Sequence, residues 1–347
     1  MKFKLLRGRM SETRKLQRIG GNTLYVSLPK HWVNRTNLKQ GDKVRLSSQS
    51  DGSVRISPAV KQEKPREIAL TTKPKDSGQS LRRAIIAAYV DGFEIIKVRS
   101  EERLTDEQQD IIRKTIDRLF ALELVEVTAN RMTIQCLLKE TIPIENTMQR
   151  IHNIILSMFS ETIFALREQN ADTVKGLTMR IHDVKRLSLV ANRILRSLIL
   201  YPPPESIEVS LIDCVDYLRI LHVVTEIADN VNKISEGIKI LNEQDLPEYI
   251  LRPLCDTSIP VQDLYDQSIQ ALLSKNIPLA NKVLDSKTPI ERLWGLCIKA
   301  DEKSEISCLA LSQVYILLDN LRQIQRYSHE IAEIAIDRAE AEMKRTD

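Results

Sequence analysis

The sequence predicts a mainly α chain with an N-terminal β domain, a small α/β middle domain and two tandem three-helix bundles. Three observations carry this. Only ten Gly, thirteen Pro and 4% aromatic residues stand among many Leu, Ile, Glu, Lys and Arg, a composition that favours helix. Between 211 and 241, apolar residues recur at Leu211, Val215, Leu218, Leu221, Val224, Ala228, Val231, Ile234, Ile238 and Leu241. Those steps of three and four lie on one helix face, which must pack against other helices. Before residue 58 the pattern alternates in short runs set off by Gly and Asp, the period of half-buried strands.

The expected division is 1–58 for the β domain, 59–80 for a linker, 81–142 for the α/β domain, and 143–245 and 246–347 for the two bundles. A chain of 347 residues exceeds the usual single domain. In order, 14–19 and 23–28 read as strands around the turn signal Gly20-Gly21-Asn22. Pro29 suits the first turn of a helix over 30–37. Gln40-Gly41-Asp42 turns the chain, and 43–46 and 54–56 are two more strands separated by Asp51-Gly52. Residues 59–80 have the Lys, Pro, Ser and Gly content of a linker, although Glu67-Ile68-Ala69-Leu70 could add a strand. A helix (81–90), a strand (93–98), a helix (105–120) and two strands (124–128 and 131–137) follow. They hold no glycine-rich phosphate loop and no clustered acid–base residues, so this segment reads as a structural spacer. The first bundle takes helices at 145–168, 173–200 and 210–242, with Pro202-Pro203-Pro204 a firm stop. The second takes 248–274, 279–301 and 304–345, and its short connections suit antiparallel packing.

Charge is split. Residues 1–45 hold twelve Lys or Arg and two acids, Glu12 and Asp42. That is +10 within a chain of net +4, so the remainder carries −6. A basic head on an acidic body points to a polyanion partner for the head. No apolar run is long enough to span a membrane, and the start has no signal-peptide core, so a cytoplasmic protein is expected. Cys136, Cys214, Cys255, Cys297 and Cys308 form no CxxC pair and read as small buried hydrophobes. No motif for nucleophilic catalysis is present, and the chain is not expected to be an enzyme.

The helical half is internally repeated. A second stripe runs through Ile306, Leu309, Val314, Leu317, Leu321, Ile324, Ser328, Ile331 and Ala335, and Lys233-Ile234-Ser235-Glu236 matches Glu330-Ile331-Ala332-Glu333. Ile227-Ala228-Asp229-Asn230, followed by Lys233 to Glu236, resembles the signature helix of PhoU proteins. The resemblance covers about residues 143–342. It implies two tandem three-helix bundles that regulate phosphate uptake, with a phosphate transporter ATPase or a signalling partner as the contact. It also implies a divalent or iron ion on bundle 1. Glu226 and Asn230 have the four-residue spacing of the family's metal motif, Asp229 matches its Asp, and Asp183 is a further candidate ligand. The corresponding positions of the second copy are Arg322 and Arg326, which cannot ligate a cation.

Leu28-Pro29-Lys30 and the run Leu38-Lys39-Gln40-Gly41-Asp42-Lys43-Val44 make the head resemble the SpoVT/AbrB swapped-hairpin DNA-binding domain. That resemblance implies a homodimer, because four short strands bury too little alone. Arg14, Lys15, Arg18, Lys30 and Arg35 are the candidates for touching DNA, through phosphate neutralisation and guanine reading. A departure stands at Asn22 and Thr23, near where the family often has an Arg. The combination resembles archaeal PhoU-like regulators. The expectation is a DNA-binding transcriptional regulator of phosphate uptake. The alternatives are a non-DNA adaptor that restrains the phosphate transporter by protein contacts, and a metalloenzyme or metal-storage bundle. The last would need inward-facing Glu and Glu-x-x-His sets, which the sequence does not contain.

Overall fold

The computed structural model describes residues 12–19, 23–48, 52–58, 65–138, 143–200, 210–244, 246–302 and 306–346. The turn expected at Gly20-Gly21-Asn22, residue Asp51 and the stop at Pro202-Pro203-Pro204 lie outside them. The chain divides at Lys64/Pro65 into a head and a body.

In the head, β1 (Gln17–Ile19) and β2 (Thr23–Tyr25) pair antiparallel, with Arg18 opposite Leu24. These ladders are shorter than the runs 14–19 and 23–28. Helix α1 (Lys30–Thr36) starts at Pro29, whose carbonyl accepts the N–H groups of Trp32 and Val33 at 3.0 and 3.1 Å. It ends at Asn37 in the left-handed region, φ 53, where Asn is among the few tolerated residues. Gly41 takes φ 94, open to Gly at little cost, and the Asp42 carboxylate accepts the Lys39 N–H at 2.6 Å. The conspicuous Leu38-to-Val44 run is thus a turn with its own internal bond. It feeds β3 (Val44–Ser48), which pairs antiparallel with β4 (Val54–Pro58).

The body opens with a four-stranded sheet in the order β5-β6-β8-β7. Strand β5 (Glu67–Thr72) runs parallel to β6 (Ile95–Ser100), and β8 (Arg131–Cys136) pairs antiparallel with both β6 and β7 (Leu122–Val127). Helices α2 (Gly78–Val90) and α3 (Asp106–Asp117) supply the crossovers. This corrects the linker at 59–80. Ile68 and Leu70 lie opposite Ile96 and Val98 and pack on the domain's core, so 67–72 is an edge strand and the domain begins before residue 81. The physical reason is parallel pairing, which needs a crossover helix between partners and leaves no hairpin signal.

Helices α4 (Ile144–Arg167), α5 (Leu177–Leu200) and α6 (Leu211–Leu241) make the first bundle, with a 3-10 turn at Ala171–Val174 before α5. The second holds α7 (Glu248–Ser274), α8 (Ile277–Asp285), α9 (Ile290–Glu302) and α10 (Cys308–Thr346). The single helix expected over 279–301 is therefore two. Pro289 disfavours helical backbone at Thr288 and has no N–H to give. One continuous apolar core joins both bundles, through α6 on α10 and α4 on α7. The α6 stripe also needs correction at its start. Leu211 and Val215 are more than half exposed, and Cys214, Tyr217 and Ile220 face inward instead.

The α/β domain is fastened to α5 by Arg193, a buried residue. Its guanidinium donates to the carbonyls of Tyr89, Gly92 (3.2 Å) and Phe93 (2.9 Å) and lies 5.0 Å above the Tyr89 ring. Gly92 has φ 85, and a Cβ there would come within 2.7 Å of Ser197 Oγ and 2.9 Å of Arg66 Nη1. Between the bundles, His152 on α4 meets Asp266 on α7 at 3.0 Å and tilts against Tyr265. Four of the five cysteines are buried as expected, while Cys308 is exposed at the start of α10.

Candidate nucleic-acid interface

The register of the second hairpin sorts its side chains. Val44, Leu46, Val54 and Ile56 share one face, because Val44 pairs with Pro58, Leu46 with Ile56 and Ser48 with Val54. Arg45, Ser47, Arg55 and Ser57 share the other. Among the described residues, the Leu46 and Val54 part of the apolar face is uncovered. Leu46 is 65% and Val54 60% exposed, and on the first hairpin Leu16 and Leu24 are 66% and 57% exposed. Among the described head residues only Ser47 is buried, and none belongs to either apolar core of the chain.

The five predicted cations fall into two groups. Arg14 is paired with Glu12, which also lies 3.5 Å from His31 on α1. Lys15, Arg18, Lys30 and Arg35 are exposed, and among the described residues none of them has an acidic partner. Both acids of residues 1–45 are occupied, Glu12 by Arg14 and His31, and Asp42 by the Lys39 N–H. Arg45 and Arg55 add to the exposed cations. They were not among the predicted contacts, although the alternation Lys43-Val44-Arg45-Leu46 already separates Arg45 from its apolar neighbours.

The body residues predicted to hold an ion are disposed differently. Asp229 is ion-paired with Lys185 of α5 at 2.8 Å. Asn230 is 4% exposed and donates its amide N–H to the Glu226 carbonyl at 2.7 Å. It therefore does not project from the outer side of α6, because the buried face here includes Ile227, Asn230 and Val231. Asp183 is exposed on α5. Among the described residues no three His, Cys, Asp or Glu side chains gather where they could hold a metal ion. At the second-copy positions, Arg322 pairs with Glu291 at 2.7 Å and lies over Trp294, and Arg326 lies over Tyr327.

Residues 17–64 match the family model of the antidote-toxin recognition protein MazE, a bacterial antitoxin. The head is MazE/AbrB-like. That match covers the described strands of the MazE/AbrB-like head and its helix, and it ends where the head ends. No curated protein matches the sequence. Solved structures similar to the chain include PhoU from Pseudomonas aeruginosa. It has 13% identity and a TM-score of 0.48, and the match covers 56% of this chain and 93% of that one. The phosphate transport system regulatory protein PhoU from Streptococcus pneumoniae is similar at 14% identity and a TM-score of 0.47, covering 56% and 91%. No described helix is long and apolar enough to cross a membrane.

Proposed function

We propose that the chain is a DNA-binding regulator of phosphate uptake that works as a homodimer through its MazE/AbrB-like head. The observation that carries this is the two-sided head. One side of the β3–β4 hairpin presents exposed Leu46 and Val54, as a half-built core does, and among the described residues Lys15, Arg18, Lys30 and Arg35 have no acidic partner. A second copy laid on the apolar side of β3–β4 completes the core and leaves Arg45 and Arg55 outward. Burying Leu46 and Val54 contributes about 1.5–3 kcal/mol each. In this reading Lys15, Arg18, Lys30 and Arg35 contact DNA, with Arg45 and Arg55 beside them, and Arg14 joins on leaving Glu12. Each cation that neutralises a phosphate releases counterions. For the body, support comes from the resemblance of Ile227 to Glu236 to the PhoU signature helix, set in a doubled helical unit. The body then relays phosphate status through contacts with the phosphate transporter or a signalling partner. An ion on bundle 1 is not part of this reading, because Lys185 holds Asp229 and the amide of Asn230 is spent on its own helix.

The test is to sequence DNA co-purified with the protein from its native cells at two salt concentrations. Enrichment at phosphate-transport promoters that survives the higher salt is expected. Diffuse DNA lost with salt would reduce the head to non-specific binding. Charge reversal at Lys15, Arg18, Lys30 and Arg35 should abolish binding, and unchanged binding would remove the surface. If no fragment binds even at low salt, the adaptor reading takes its place.

A further inference from the structure

The α/β domain carries a cationic groove that the reading above leaves unused. Helices α2 and α3 each return the chain between parallel strands, so they run side by side in one direction. Across the gap between them α2 presents Gln79 and Arg82, and Arg83 and Ile86 line an adjoining cavity on α2. The facing side of α3 presents Ile111, Lys114, Thr115 and Arg118. Both sets follow the i, i+3, i+4, i+7 spacing of one helix face. Two cavities of about 200 and 480 Å³ share Gln79 and Arg82, so they form one groove.

Four cations and no carboxylate line it. Asp110 holds Lys114 from one turn back at 2.7 Å, and among the described residues Arg82 and Arg118 have no acidic partner. Helix α2 contains no acid at all, although residues 46–347 are net negative. Like charges facing each other across a groove repel, and an anion between them reverses the sign. A guanidinium fork engages phosphate oxygens two at a time. Ile86 and Ile111 give the groove an apolar floor beside the charges.

We propose that the α2–α3 groove binds a small phosphorylated ligand of nucleotide size. Arg82 and Arg118 clamp its phosphates, Lys114 stands beside them, and Ile86 and Ile111 receive its less polar part. This does not depend on DNA binding by the head.

Calorimetric titration of the full chain with ATP and with pyrophosphate at low ionic strength tests it. Both should bind, ATP more tightly. Arg82→Ala/Arg118→Ala should weaken both by at least about tenfold, the scale of one lost charged contact. Arg113→Ala, an exposed cation of α3 outside the groove, should bind as the parent does. Arg82→Lys keeps the charge without the fork and should bind more weakly than the parent, with the melting temperature unchanged. The proposal is overturned if the parent chain binds neither probe, or if Arg113→Ala loses as much as the groove variant. It is also overturned if the groove variant loses only duplex DNA, which would make the groove a second nucleic-acid contact.

Discussion

Arg193 and His152 show how much a single side chain decides in this molecule. Arg193 is 5% exposed and finds three backbone carbonyls at the end of α2. Burial pulls its guanidinium below the ordinary arginine value, with nearby Cys136 and Tyr89 acting the other way. The Tyr89 hydroxyl beneath it is pushed up to about 12, chiefly by burial. Lys in place of Arg offers one ammonium to a fork-shaped set of acceptors. We expect Arg193→Lys to cost about 2–4 kcal/mol, because buried carbonyls lose charged donors. Chemical denaturation measures this, and a loss near zero would mean the α/β domain is held elsewhere. His152 is 4% exposed, and burial keeps its imidazole below the ordinary value against the opposing pull of Asp266. In the unfolded chain it titrates at about 6.5, so the unfolded state takes up the proton first as pH falls. Its contribution to stability is therefore complete above that value and is lost as pH drops toward the folded one. His152→Gln should flatten the fall in melting temperature between about pH 7 and 5. An unchanged slope would assign the acid sensitivity to other groups.

At the scale of elements, the hairpin β3–β4 is the most exposed claim about assembly. A two-stranded ribbon is marginal by itself, and this one shows Leu46 and Val54 to solvent while Arg45 and Arg55 occupy its back. Leu46→Asp puts a charge in the face that a second copy would cover. Light scattering should find the parent chain as a dimer and this variant as a monomer. A dimeric Leu46→Asp protein would place the contact elsewhere. Helix α6 bears on the candidate ion site. Its stripe was readable as a helix face, but the face is broader than the stripe, so Asn230 lies inside and Leu211 and Val215 lie outside. Spacing by itself placed Glu226 and Asn230 on one side of α6. Whether that side meets water or α5 depends on neighbours, and Lys185 and Ser188 of α5 reach Asp229 and Thr225 there.

For the whole molecule, the described residues of the head belong to neither apolar core, whereas the two bundles share one. Calorimetry should therefore show a body transition independent of protein concentration and a head transition that rises with it, by mass action on a dimer. A single concentration-independent transition would contradict the dimeric head. The short-range features were legible in the sequence: the helix faces, the Pro29 start of α1, the Gly41-Asp42 turn, the basic head. So was the resemblance of the head, carried by Leu28-Pro29-Lys30 and the run from Leu38 to Val44. The long-range ones were not. Strand β5 looked like linker because its partner β6 lies a helix away. The divided helix α8–α9 looked continuous because its apolar pattern crosses Thr288-Pro289. Arg193 and His152 were invisible because their acceptors lie at distant positions, Tyr89 and Asp266. The groove cations were ordinary helix charges until α2 and α3 were set side by side. What this sequence determined by itself was periodicity, turn chemistry and the sign of each segment's charge, since these depend on neighbours a few residues apart. The tertiary structure alone decided which charges are paired, which faces are covered and which cations converge, because those are distances between residues remote in the chain.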